Sequence, residues 1–141
     1  MMKAYLTRRY WIAASHRLHS DEMSAEENWE TYGKCNNPYG HGHNYGVEIT
    51  VSGQVDPKTG MICDLGELDG FVNANVVERF DHQNLNTLKE FEQLVPTSEN
   101  LCEAIYDIVK QGFKAAHLEK VKLQETSQNS FEYAGGAEIR A

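Results

Sequence analysis

Apolar and polar side chains alternate along the first part of the chain. Residues 3–18 are rich in Tyr, Trp, Ile and Leu, and their period of two predicts a strand with Ile12, Ala14 and His16 on one face. Residues 19–34 break the pattern with Asp21, Glu22, Glu26, Glu27 and Glu30 and read as a long acidic loop holding at most a helical turn. Loops of that length in a small domain are often functional. Alternation returns from His41: Tyr45, Val47, Ile49 and Val51 face one way, and Gly46, Glu48, Thr50 and Ser52 the other. That is a strand with one buried and one wetter side. Asp56-Pro57-Lys58-Thr59-Gly60 then reads as a turn, with Pro presetting φ and Gly free to take φ > 0.

The period lengthens after Asp64, a helix N-cap with Glu67 placed to complete a capping box; Leu65, Leu68, Val72 and Val76 form the apolar stripe. Residues 80–96 read as irregular. A second helix begins at a Thr97 cap, with Leu101, Ile105, either Ile108 or Val109, and Phe113 facing inward. Strands at roughly 119–126 and 129–135 close the chain. The order β-β-α-α-β-β predicts an α+β domain, a four-stranded antiparallel sheet with two helices on one face. The edges of so small a sheet invite pairing with another subunit, so a homo-oligomer is expected.

At 141 residues the chain suits a single domain spanning residues 1–141. A formal charge of −8 with no Lys/Arg cluster argues against nucleic acid or an anionic membrane as partner. No run approaches the ~20 apolar residues of a membrane span, and the N-terminus lacks a signal-peptide pattern. The three cysteines, Cys35, Cys63 and Cys102, are too few and scattered for a disulfide framework; an odd count favours a reducing, cytoplasmic setting.

The candidate chemistry centres on Cys35-Asn36-Asn37-Pro38-Tyr39-Gly40-His41-Gly42-His43-Asn44-Tyr45. On an extended segment His41 and His43 point the same way, a two-nitrogen claw suited to Zn²⁺. Catalytic zinc takes three protein ligands and keeps a fourth position open. His16, on the apolar side of the first strand, is the third ligand chosen, because an unpaired buried polar group costs roughly 1–3 kcal/mol and a metal would partner it. His19 and His117 read as solvated. Cys35 beside Lys34 is either a packed, inert thiol or a reactive one whose thiolate is favoured by positive neighbours. Asp81-His82 is a chance neighbour pair or an acid–base helper on an irregular segment. Glu125 falls on the same face as Val121 and Leu123, so it is either a paired carboxylate of a site or one that reaches water where the strand ends. Glu99 is either a helix-dipole acid or an anchor for an N–C–N edge.

These residues closely resemble the 6-pyruvoyl-tetrahydropterin synthase family along almost the whole chain. The likeness rests on Ala14-Ser15-His16-Arg17-Leu18, Gly33 to Pro38, His41 to Tyr45, Val55 to Met61, Asp81 to Asn86, Thr97-Ser98-Glu99-Asn100 and Glu125-Thr126. The resemblance implies a tunnelling fold: trimers whose sheets join into a barrel, two trimers stacking into a hexamer. It implies 7,8-dihydroneopterin triphosphate as substrate of a zinc-dependent lyase that eliminates triphosphate with internal redox in tetrahydrobiopterin biosynthesis. It assigns His16, His41 and His43 to zinc and Cys35 to the catalytic thiol. Asp81 and His82 become its helper pair, contributed by a neighbouring subunit, and Glu125 part of the charge relay. Glu99, with Thr97 and Ser98, takes the pterin. Two departures are Tyr39, in the loop over the thiol, and Thr97-Ser98, where the family often has two threonines. The related 6-carboxy-tetrahydropterin synthase of queuosine biosynthesis shares fold, zinc site and substrate, but there the thiol tends to sit closer to His-Gly-His. The five residues Asn36 to Gly40 favour the pyruvoyl branch. A pterin- or zinc-binding module without turnover is the non-enzymatic alternative.

Overall fold

The computed structural model describes residues 2–136. In chain order its elements are β1 (Lys3–His16), α1 (Ala25–Tyr32), β2 (His41–Gln54), α2 (Leu65–Val72), β3 (Gln83–Asn84), α3 (Ser98–Gly112), β4 (His117–Gln124) and β5 (Ser130–Tyr133). The fold is α+β, but the sheet differs from the expected four antiparallel strands. It has five, in the order β3-β1-β2-β4-β5, and β3 runs parallel to β1 through Ala14↔Gln83 and Ser15↔Asn84. A two-residue strand leaves no periodic signal, which is why 80–96 read as irregular. The ends of the other strands also shift: β1 stops at His16, β4 spans 117–124 and β5 spans 130–133.

β1 and β2 pair without interruption from Lys3↔Gln54 to His16↔His41. That register brings the far end of the first strand against the start of the second, so histidines 25 positions apart in sequence meet. One sheet face carries Tyr10, Ile12, Tyr45, Val47, Ile49, Val51, Val121 and Leu123 into a core shared with α2 and α3. Full burial of each such aliphatic contributes roughly 1.5–3 kcal/mol, so this layer fixes the backbone on which the histidines stand. The opposite face leaves Tyr5 and Trp11 more than half exposed.

The acidic stretch folds more than expected. Ser24 Oγ accepts from Glu27 N–H and Glu27 Oε1 accepts from Ser24 N–H, each at 3.1 Å, a capping box that starts α1. Asn28, wholly buried, accepts from Ser20 N–H and donates to the carbonyls of Ser20, Met23 and Ser24. One side chain thus satisfies the backbone groups that a buried loop would otherwise strand. By contrast, the box expected at Asp64 is only half formed: Asp64 accepts from Gly66 N–H, and Glu67 returns no bond among the described residues.

α2 runs into a π turn over Asn73–Val77 and a last α turn at Glu78–Phe80. Leu68, Val72, Val76 and Phe80 are all fully buried. A spacing of four winds off an α-helix face by about 40° per step, and the wider π turn takes up that drift. In α3, Thr97 Oγ1 accepts from Asn100 N–H, and it is Val109 rather than Ile108 that joins Leu101 and Ile105 in the core. Among the described residues no helix is long and apolar enough to cross a membrane.

Candidate active site

The β1–β2 register places His16 opposite His41 and Ala14 opposite His43, so all three rings project from adjoining strand ends. Their ligating nitrogens lie within 4.8 Å of one another. His16 Nε2 and His41 Nε2 face each other at 3.2 Å, and at most one of two such nitrogens can donate to the other. Gly40, at φ 71°, makes the approach possible: a Cβ there would meet the His16 carbonyl oxygen at 2.8 Å.

The orientation of His16 is set from behind. Its Nδ1 lies 2.8 Å from the Pro96 carbonyl oxygen, to which it can only donate, which leaves Nε2 as the lone-pair nitrogen facing the cluster. The Tyr45 hydroxyl lies 3.4 Å from the same Nδ1. His43 Nε2 is buried with no hydrogen-bond partner, although Glu125 Oε1 stands 3.4 Å away. Burial lowers the pKa of both His16 and His43, with neighbouring rings acting the same way on each, so both favour the neutral, ligating form. Three converging imidazoles, one with an orphaned buried nitrogen, fit a tetrahedral cation with an open fourth position.

Cys35 is bound to this corner through its backbone. Leu18 N–H donates to the Cys35 carbonyl at 2.7 Å, and Asn36 Nδ2 donates to the Leu18 carbonyl at 2.7 Å. Arg17 Nε donates to the Asn36 carbonyl at 3.2 Å. The thiol's pKa is raised, first by burial and then by Glu125, which also raises that of Tyr45. Lys34 is not among the groups acting on it, so the chain alone keeps Cys35 as the thiol. Cys63 and Cys102 are raised mainly by burial as well, Cys102 to about 12, as befits packed cysteines.

Glu125 lies just past β4, where the run Val121, Leu123 turns its face to the histidines. Its Oε2 accepts from Ser98 Oγ, a buried hydroxyl at the start of α3. Thr97 caps α3, and Glu99 in the first turn is exposed with no hydrogen bond among the described residues. His82 borders the same open cavity as His43, with Asp81 beside it, but no hydrogen bond ties either to the cluster among the described residues. Asp81 Oδ1 accepts from Ala13 N–H at 2.8 Å, and His82 N–H donates to the Ala13 carbonyl at 2.6 Å. His82 takes φ 58°, where only this residue among the described non-glycines is found, and its ring is 83% exposed, 3.4 Å from Asp81. Such a backbone, uncommon for a non-glycine residue, persists where surrounding bonds impose it. Within one chain the structure thus joins His16, His41, His43, Glu125 and Ser98, with Cys35 near Glu125; it does not join Asp81, His82 or Glu99 to them by any hydrogen bond among the described residues.

Three contributors escaped sequence reading: the Pro96 carbonyl, Tyr45 and Asn36. Tyr45 alternates on the same strand as His41 and His43, a signal that was available. The others depend on tertiary approach.

A family model described as 6-pyruvoyl tetrahydropterin synthase matches residues 5–136. A 6-pyruvoyl tetrahydrobiopterin synthase from Drosophila melanogaster is 45% identical over 134 residues, covering 94% of this chain and 80% of that protein. The solved structure of Caenorhabditis elegans 6-pyruvoyl tetrahydropterin synthase superposes with a TM-score of 0.92 at 39% identity, covering 96% of this chain and 98% of that one. A relative from Archaeoglobus fulgidus, provisionally named 6-carboxy-5,6,7,8-tetrahydropterin synthase, is 36% identical over 106 residues, 75% of this chain and 84% of its own. With the match running from the first strand to beyond the last, the chain belongs to the 6-pyruvoyl tetrahydropterin synthase family.

Proposed function

We propose that the protein is a zinc-dependent carbon–oxygen lyase that converts 7,8-dihydroneopterin triphosphate to 6-pyruvoyl-tetrahydropterin, releasing triphosphate. The observation that carries this is the convergence of His16, His41 and His43 with His43 Nε2 left orphaned beside Glu125. The thiol-bearing turn bonded to the end of β1 supports it.

His16, His41 and His43 would hold Zn²⁺. When bound, the ion supplies Lewis acidity to the hydroxyls of the substrate side chain and the positive charge that offsets Glu125 at the thiol. Cys35 Sγ takes a proton from a carbon of that side chain. His82, oriented by Asp81, accepts and returns protons at its ring nitrogens, and Glu125 acts in the relay. Glu99 holds the N–C–N edge of the pterin by paired hydrogen bonds, with Thr97 and Ser98 lining the same end. Loss of triphosphate and tautomerisation oxidise the side chain while the ring is reduced, so electrons balance within one molecule and no nicotinamide or flavin is consumed.

The 83% exposed His82 ring supports a shared site in which Asp81 and His82 serve the zinc and thiol of a neighbouring subunit. The assembly proposed is a trimer, or two trimers stacked, joined through the sheet edges, at work in the cytosol. The Archaeoglobus relative favours a second reading, 6-carboxy-tetrahydropterin formation; the five residues between Cys35 and His41 favour the first.

Mass spectrometry of the product from zinc-loaded protein and 7,8-dihydroneopterin triphosphate decides. A three-carbon diketo side chain is expected. A carboxyl group would move the protein to the second reading, and no released triphosphate would overturn both.

A further inference from the structure

Ser98 is buried at the first residue of α3, and its hydroxyl donates to Glu125 Oε2. The other carboxylate oxygen, Oε1, stands 3.4 Å from His43 Nε2 without a hydrogen bond between them. The carboxylate therefore borders the point where the three imidazoles converge. Carboxylate oxygens are themselves good ligands for zinc, and a fourth protein ligand turns an open, catalytic site into a closed, structural one. Something must restrain Glu125.

We propose that Ser98 is a positioning residue that tethers Glu125 outside the coordination shell and so keeps the fourth position of the metal site open. The reading rests on the metal assignment above. The tether is stiff at both ends. Ser98 follows the Thr97 cap, and Asn100 fastens the same turn by donating from its N–H to Thr97 Oγ1 at 3.2 Å and from Nδ2 to the Val95 carbonyl at 2.8 Å. Glu125 is held through its own N–H, which donates to the Asn129 carbonyl at 3.2 Å. Two residues before Ser98 stands Pro96, whose carbonyl orients His16. One turn of chain thus aims a ligand with one group and withholds a would-be ligand with another. Ser98 need not touch the substrate to matter.

The test measures Zn²⁺ affinity of the full chain by competition with a chromophoric chelator, independently of turnover. Ser98→Ala frees the carboxylate and is expected to bind Zn²⁺ about tenfold more tightly, the scale on which partners of ligating groups act. Ser98→Thr, which keeps the hydroxyl, should match wild type. In a Glu125→Gln background Ser98→Ala should change nothing, and Ser98→Gly, which also removes the hydroxyl and adds no metal ligand, should repeat the tightening if the alanine variant does not fold. Co²⁺-loaded Ser98→Ala should show the altered visible absorption of a changed ligand set. An affinity that is unchanged or weaker, a tightening that survives Glu125→Gln, or a wild-type chain that binds no Zn²⁺ overturns the tether. Wild type that binds Zn²⁺ and shows these differences without turning over the pterin would sink the proposed reaction and leave the tether standing.

Discussion

Two histidine-bearing corners of this molecule are treated in opposite ways by the chain. At the end of β1 and the start of β2, the surroundings are finished: His16 is 1% exposed, Nδ1 meets a carbonyl, and Tyr45, Ser98 and Glu125 pack around the rings. At the end of α2's helical run, only the backbone is finished. Two bonds to Ala13 pin Asp81 and His82, yet the His82 ring stands in the open. A ring that must ligate is held by burial and by partners behind it. On the proposed reading, in which the His82 ring serves another chain, a fixed base is all it needs, and a left-handed φ is a means of aiming it.

If the first corner is the metal centre, His41→Ala should do the greatest damage, reducing bound zinc to near zero in an elemental assay and abolishing turnover. An unchanged zinc-to-protein ratio would remove His41 from the ligands. Cys35→Ala should separate chemistry from metal: zinc stays, while turnover falls by about 10²–10⁴-fold, the usual worth of a positioned proton-transfer group. Normal turnover would take the thiol out of the mechanism.

The second corner admits a sharper experiment. His82→Gly relieves the left-handed backbone, whose strain is of order 1–3 kcal/mol, so the variant should unfold at a temperature no lower than wild type while losing about 10²-fold in turnover. Mixed from separately unfolded stocks and refolded together, His82→Gly and Cys35→Ala chains should regain activity, because some sites then combine an intact thiol with an intact imidazole. Failure to regain any would place both groups in one chain's site.

How far the sequence could be read follows the same division. His41 and His43 were legible because period two puts alternate residues on one face, and Glu125 because it shared a face with Val121 and Leu123. α1 had its signature in Ser24 and Glu27, but the surrounding acidic residues masked it as loop. The π turn also left a trace, in the spacing of four from Leu68 to Phe80. Nothing local announces that the Pro96 carbonyl meets His16 across 80 positions. A backbone carbonyl has no residue type to recognise, and β3 is too short to have a period. The Asp81–His82 corner was visible only as two adjacent residues; the bonds that hold it come from Ala13.

The smallest predicted effect is the dependence of metal-free stability on pH, and it belongs to the finished corner. Burial lowers the pKa of His16 and His43 from the ordinary 6.5 in the folded chain. The unfolded chain therefore takes up protons there more readily than the folded one, and stability rises with pH across that interval. Above about pH 6.5 both states are neutral at these rings and the contribution is complete. Below it, protonation of the unfolded chain draws the equilibrium away from the native state, until the folded rings also titrate and the loss levels off. Thermal unfolding of chelator-treated protein should show a flat melting temperature from about pH 8 to 7 and a decline below 6.5. His43→Gln should make that decline shallower by removing one of the two rings. A melting temperature that rises on acidification through this range would mean that the rings are stabilised as cations, and neutral convergence on a metal would lose its electrostatic basis.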